Sequence, residues 1–232
     1  LRFRGDPALL AAKLLPALHH LVGRPLADGR LHSLVLDAYN PEIERYGGAL
    51  GIEDVEQYFC ADSEAALKIV QRLQGDTGQD DRWRLTLLGL DMLLEDFGLD
   101  PPARLLLMEG QAESFGAEFE FKKQLAKQLG QKFRDERAAL ADLLAGNAPA
   151  GGVLAQGREI FLSRRELAAQ SVASLQQKEQ AGQLAPPLAH ILGSLCHMHA
   201  NRLLRSAARA QEAVIYQLLA RLYRMRAARA ES

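Results

Sequence analysis

Between Arg82 and Phe97 the chain carries Trp83, Leu85, Leu87, Leu88, Leu90, Met92, Leu93 and Leu94, so a helix over this stretch is apolar on nearly every face. Such a helix needs cover from several sides, which predicts a central core helix inside a shell of others. Gly98 is a natural stop for it, and Pro101-Pro102 prevents the helix from resuming at once.

The surrounding periodicity predicts that shell. Leucines at 10, 14, 15, 18 and 21 follow an Asp6-Pro7 start signal and predict an amphipathic helix from Ala8 to Val22, tolerating or kinked by Pro16. After the Asp28-Gly29 turn, Leu31 to Tyr39 reads as a strand built on Leu34, Val35 and Leu36. Ile52 to Cys60 reads as a short helix, and Asp62-Ser63 as the cap of a second, from Glu64 to Leu73. A polar surface loop is expected from Gly75 to Asp81. Phe115 to Leu144 is one long charge-rich pattern, with Phe119, Leu125, Leu129, Phe133, Leu140 and Leu144 along a stripe. Beyond a linker from Gly146 to Gly152, three more helices are expected, over about 163–181, 187–204 and 207–229. The first residues, Leu1-Arg2-Phe3-Arg4, alternate apolar with cationic side chains like the end of a half-buried strand of a longer parent. The expectation is an α+β fold, a predominantly helical single domain over 1–232 with a small sheet near its start.

Composition excludes several function classes. With 232 residues and 48% hydrophobic side chains the chain can fill a core. Its 28 basic and 29 acidic residues leave a net charge of −1, which gives no global field for nucleic acid. Cys60 and Cys196 fit no metal-ligand spacing and read as buried thiols in a reducing cytoplasm. No apolar run is long enough to span a bilayer and no signal peptide opens the chain, so an intracellular soluble protein is expected. No phosphate loop, dinucleotide fingerprint or nucleophile elbow is present, and no metal or cofactor is expected.

Three constellations remain. Tyr39 to Gly48 (YNPEIERYGG) sets Glu42, Glu44 and Arg45 before paired glycines that allow positive φ, a shaped turn able to hold a site. With Arg2 and Arg4 it offers planar guanidinium forks suited to an anionic ligand or an anionic transition state, or else a structural ion-pair network. The second is His197-Met198-His199-Ala200-Asn201-Arg202, where positions 197 and 201 share a helix face and an imidazole suits proton transfer near neutral pH. The alternative is a structural histidine. A metal reading of His197 and His199 is weak, because residues two apart on a helix diverge by about 200°. The third, the arginines from 202 to 229, reads as the solvated face of an amphipathic helix.

Taken in order, Leu1-Arg2-Phe3, then Tyr39 to Gly48 with Phe59-Cys60-Ala61-Asp62-Ser63, then His197 to Leu204, these motifs resemble the C-terminal domain of lantibiotic dehydratases, also found as stand-alone thiopeptide-type bacteriocin biosynthesis proteins. The resemblance covers essentially the whole chain. It implies β-elimination of glutamate from glutamylated Ser or Thr of a ribosomal precursor peptide, leaving dehydroalanine or dehydrobutyrine, with glutamate installed by a separate glutamylation domain or partner subunit. It further implies that Arg2, Glu42, Arg45 and His197 are the catalytic residues. The arginines would bind the glutamyl group, His197 would move the proton, and Glu42 would orient Arg45 or share the base role. Arg4, Tyr46, Asn201 and Arg202 are expected to bind substrate. Two other readings stand beside this one: a pyridine synthase joining two dehydroalanines by formal aza-[4+2] cycloaddition with loss of the leader peptide, and a non-catalytic precursor-peptide-binding module.

Overall fold

The computed structural model describes residues 3, 5–73, 75, 77–118, 123–205 and 208–230. The chain divides into two compact units, residues 1–41 and 42–232.

In the first unit, Asp6 caps a helical run by accepting from the Leu9 N–H at 3.0 Å, with Pro7 at the first helical position. The run comprises α1 (Pro7–Leu9), a π turn (Leu10–Leu14) and α2 (Leu15–Ala27). Pro16 stands just after the π turn, in which the Leu15 N–H bonds the Leu10 carbonyl, so the proline's missing donor falls where the ladder has already widened. The helix ends five residues beyond the expected Val22.

The expected sheet is not there. Among the described residues there is no strand, and Leu34, Val35 and Leu36 lie in an exposed segment without regular structure. The correction has a physical reason: a strand exists only when its N–H and C=O groups are paired, and three consecutive apolar residues supply no ladder partner. Of the expected N-terminal strand, Leu1, Arg2 and Arg4 lie outside the described residues. The fold is predominantly helical, not α+β.

The second unit holds α3 (Gly48–Val70), α4 (Thr77–Asp96), α5 (Pro101–Glu118), α6 (Lys123–Ala145), α7 (Val153–Gln180), α8 (Leu188–Leu203) and α9 (Ala208–Ala230). As its sequence demands, α4 is central, meeting α6, α7, α8 and α9, with Leu85, Leu87, Leu88, Leu90, Leu93 and Leu94 fully buried. Its buried Asp91 is satisfied inside: Tyr223 donates to it at 2.6 Å, and Arg104 lies 3.7 Å from the same carboxylate. Helix α3 packs on α7 and α8, and α5 on α9 and α8.

Several boundaries differ from the sequence reading. Helix α3 is continuous, so Asp62-Ser63 is no cap: the Asp62 side chain turns sideways to partners on other helices. Helix α4 begins at Thr77, inside the expected loop. Pro101 and Pro102 start α5 instead of delaying it, behind Asp100, which accepts from the Ala103 N–H at 2.8 Å. The pattern from Phe115 to Leu144 belongs to two helices, α5 and α6. Cys196 is buried as expected, but Cys60 is exposed.

Candidate active site

The site is built on one face of α8. Ser194, His197 and Asn201 recur at three and four residues and therefore stack along that face, about 4.5 and 6 Å apart along the axis.

Arg45 reaches this face from the turn that precedes α3. Residues Ile43–Arg45 form a single 3-10 turn, and Tyr46 anchors it, 3% exposed, with its ring edge-on to Phe59 at 5.1 Å. Gly47 and Gly48 then reverse the chain at φ 93° and 74°. A Cβ on Gly47 would stand 3.0 Å from the Gly51 Cα, 3.2 Å from Ile191 and 3.3 Å from Leu184, so the backbone itself is seated against the start of α8. The paired-glycine turn is thus present as the sequence indicates. From it the Arg45 Nε donates to the Ser194 Oγ at 3.2 Å, and Nη1 meets Glu42 at 3.4 Å. Both charged side chains of the Glu42–Arg45 pair are about half exposed, so the pair itself is worth at most about 1 kcal/mol, and its effect is to aim the guanidinium.

His197 is held from the other side. Its Nδ1 donates to the Glu212 carboxylate, 2.9 and 3.0 Å from the two oxygens, and its Nε2 accepts from the Asn201 amide at 3.0 Å. Glu212, on α9, is fully buried and also accepts from the Tyr216 hydroxyl at 2.5 Å. Phe115, from α5, closes the group, its ring centroid 5.9 Å from His197 and 5.2 Å from Tyr216. The Arg209 guanidinium lies over Phe115 at 4.7 Å. The arrangement offers a basic ring nitrogen backed by a carboxylate, with a guanidinium on the same helix face.

The remaining expected residues fall elsewhere. Arg202 bonds Asp62 at 3.1 Å and Ser63 at 2.9 Å and lies over Phe59 at 4.7 Å, so it ties α8 to α3. Tyr46 is in the core. Arg2 and Arg4 lie outside the described residues. His199 points away from His197, fully buried, and donates from Nδ1 to Asp62 at 2.7 Å. That carboxylate also binds Arg164 at 3.1 Å, and Arg164 in turn meets Asp96 at 3.0 Å. Burial pushes the Asp62 carboxyl up, but His199, Arg164 and Arg202 outweigh it and hold the group well below the usual carboxylate range. Among the described residues no group of three His, Cys, Asp or Glu side chains could hold a metal ion.

Ser194, Glu212, Tyr216 and Phe115 were not singled out by sequence reasoning. Ser194 was within reach of it, one turn before His197 on the same face. Glu212, Tyr216 and Phe115 had no such signal, because they sit on helices whose packing against α8 is not written in local spacing.

The family described as Lantibiotic biosynthesis dehydratase C-term matches residues 1–223. Subtilin biosynthesis protein SpaB of Bacillus subtilis is 27% identical over 205 residues, which are 88% of this chain and 19% of that protein. The chain therefore spans about a fifth of the length of that relative. No solved structure matches. Among the described residues no helix is long and apolar enough to cross a membrane. On the strength of a match over nearly its whole length, the chain belongs to the family of C-terminal domains of lantibiotic biosynthesis dehydratases.

Proposed function

We propose that this domain eliminates glutamate from glutamylated Ser or Thr residues of a ribosomally made precursor peptide, forming dehydroalanine or dehydrobutyrine. The observation that carries the reading is the pairing on one face of α8 of a histidine with a basic Nε2 and an arginine held by Ser194 and Glu42. In the reaction, His197 Nε2 takes the Cα proton, the electron pair released forms the Cα–Cβ double bond, and the Cβ–O bond breaks. Glutamate then departs with that bond's electrons as a carboxylate, and His197 returns its proton to solvent. Charge develops first on the peptide carbonyl and then on the leaving carboxylate, and the planar fork of Arg45 suits either. Glu42 is assigned the orienting role, since its carboxylate faces Arg45. Arg2 is assigned to the glutamyl group on the resemblance alone.

The substrate is taken to be a precursor of a peptide antibiotic of the kind the relative's name indicates, and the glutamylating activity is assigned to another part of the parent protein or to a partner. The test is to incubate the full-length parent with a glutamylated precursor peptide and follow its mass, comparing wild type with Arg45→Ala and His197→Ala, each checked for folding. Loss of glutamate with formation of dehydroamino acids, abolished in the folded variants, is the expected result. Untouched glutamylated peptide with cyclisation of a bis-dehydroalanine substrate would replace the reading with pyridine synthesis. Inertness toward both would leave a binding module.

A further inference from the structure

We propose that Glu212 and Tyr216 form a buried positioning pair that decides which ring nitrogen of His197 exchanges a proton, an inference that rests on the elimination reading. Glu212 is fully buried and Tyr216 likewise, so neither can touch a peptide substrate. Both act through the imidazole. An ionised carboxylate can only accept, so with its oxygens 2.9 and 3.0 Å from Nδ1 the ring hydrogen is confined to that nitrogen. The lone pair is thereby placed on Nε2, the nitrogen on the Asn201 side. When Nε2 takes a proton, the imidazolium lies against a carboxylate in a dry setting, where opposite charges attract far more strongly than in water. Asn201 follows the change by turning its amide, so that the carbonyl accepts where the NH₂ had donated.

Tyr216 supplies the second constraint. Its hydroxyl donates to Glu212 Oε1 at 2.5 Å, occupying one oxygen and stopping the carboxylate from rotating away. Its ring packs edge-on against Phe115, which in turn lies beside the His197 ring, so residues from α5, α8 and α9 hold the imidazole in one plane.

The experiment uses the full-length parent with Glu212→Gln, Tyr216→Phe and the double variant. In Glu212→Gln, Tyr216 keeps the carboxamide oxygen in the place of Oε1, 2.9 Å from Nδ1, and an NH₂ replaces Oε2 at 3.0 Å, so a donor now competes for Nδ1 and the ring hydrogen is released to Nε2. We expect glutamate elimination to fall about a hundredfold or more in kcat with KM nearly unchanged. Carbethoxylation of His197 by diethyl pyrocarbonate, located by peptide mass mapping, should fall several-fold, because the lone pair is no longer confined to Nε2. Tyr216→Phe alone should keep the labelling. Added to Glu212→Gln, it frees the amide to turn and should return the labelling. Unchanged labelling and turnover in Glu212→Gln would overturn the proposal, and so would failure of the double variant to recover labelling. If wild type releases no glutamate while the labelling follows this pattern, the pair stands and the elimination reading falls.

Discussion

Replacing Asp62 with Asn tests the buried network that fixes α8. Asp62 is 1% exposed and is shared by Arg164, His199 and Arg202 at 3.1, 2.7 and 3.1 Å. Arg164 is itself fully buried, so neutralising Asp62 leaves that guanidinium with one carboxylate, Asp96, and the Gly89 carbonyl. Breaking a buried pair by removing one partner costs about 3–5 kcal/mol, against at most about 1 kcal/mol for an exposed pair. Since about 1.4 kcal/mol is a tenfold change in an equilibrium, amide exchange in α3, α7 and α8 should accelerate by about two to three and a half orders of magnitude. Hydrogen exchange followed by mass spectrometry on the intact parent reads these helices separately from the rest of the protein. The pH dependence has a definite sign. The folded-state pKa of Asp62 is lowered, so its contribution is complete above the ordinary carboxylate range, near about 4, and is lost as pH falls toward the folded value. The difference between wild type and Asp62→Asn should therefore be level from about pH 5 upward and shrink below about pH 4. An acceleration under about tenfold at neutral pH would refute the claim that Asp62 holds these helices together.

Gly47→Ala should destabilise the domain by about 1–3 kcal/mol, because φ is 93° and the added Cβ meets Gly51, Ile191 and Leu184, and elimination should weaken with it as Arg45 loses its seat. Equal stability and turnover would show that the turn gives way freely. Gly89→Ala pushes a methyl into the His199 and Phe161 rings, and the exchange protection of α4 and α8 should drop by an amount matching about 1–3 kcal/mol of overpacking. Native alkylation mapped by mass spectrometry should modify Cys60, which is exposed, and spare Cys196, whose thiol is pushed up by burial and by nearby Glu212. Modification of both at similar rates would contradict the packing of α8.

How much could be read beforehand depended on whether the signal was local. The saturated apolar pattern around Leu85 to Leu94 has few solutions other than a surrounded helix, and α4 occupies that place. The paired glycines demanded a left-handed turn, and Gly47 and Gly48 supply it. The divergence of His197 and His199 followed from helical geometry alone, and the two rings face different helices. The errors arose where tertiary partners decide. Asp62-Ser63 carries cap-forming residue types, yet a buried guanidinium 102 residues away claims the Asp62 side chain and the helix runs through. Leu34 to Leu36 has strand-forming residues and no partner to pair with. Arg202 was expected on the resemblance to bind substrate; one residue beyond Asn201 it is turned by about 100°, and its side chain reaches Asp62 and Ser63 on α3. Glu212 is a lone acid in an arginine-rich helix, and only the packing of α9 on α8 gives it a role.

Helix α8 presents Ser194, His197 and Asn201, the groups of the candidate site, on one side while His199 and Arg202 grip Asp62 on another. Ser194, His197 and Asn201 cannot shift independently, since they are fixed points on a single rod. A change at Asp62 or Arg164, both buried, would tilt that rod and move all three relative to Arg45 together. Alterations in the packing beneath α8 should therefore shift the whole constellation at once, whereas substitutions at Ser194, His197 or Asn201 remove one group at a time.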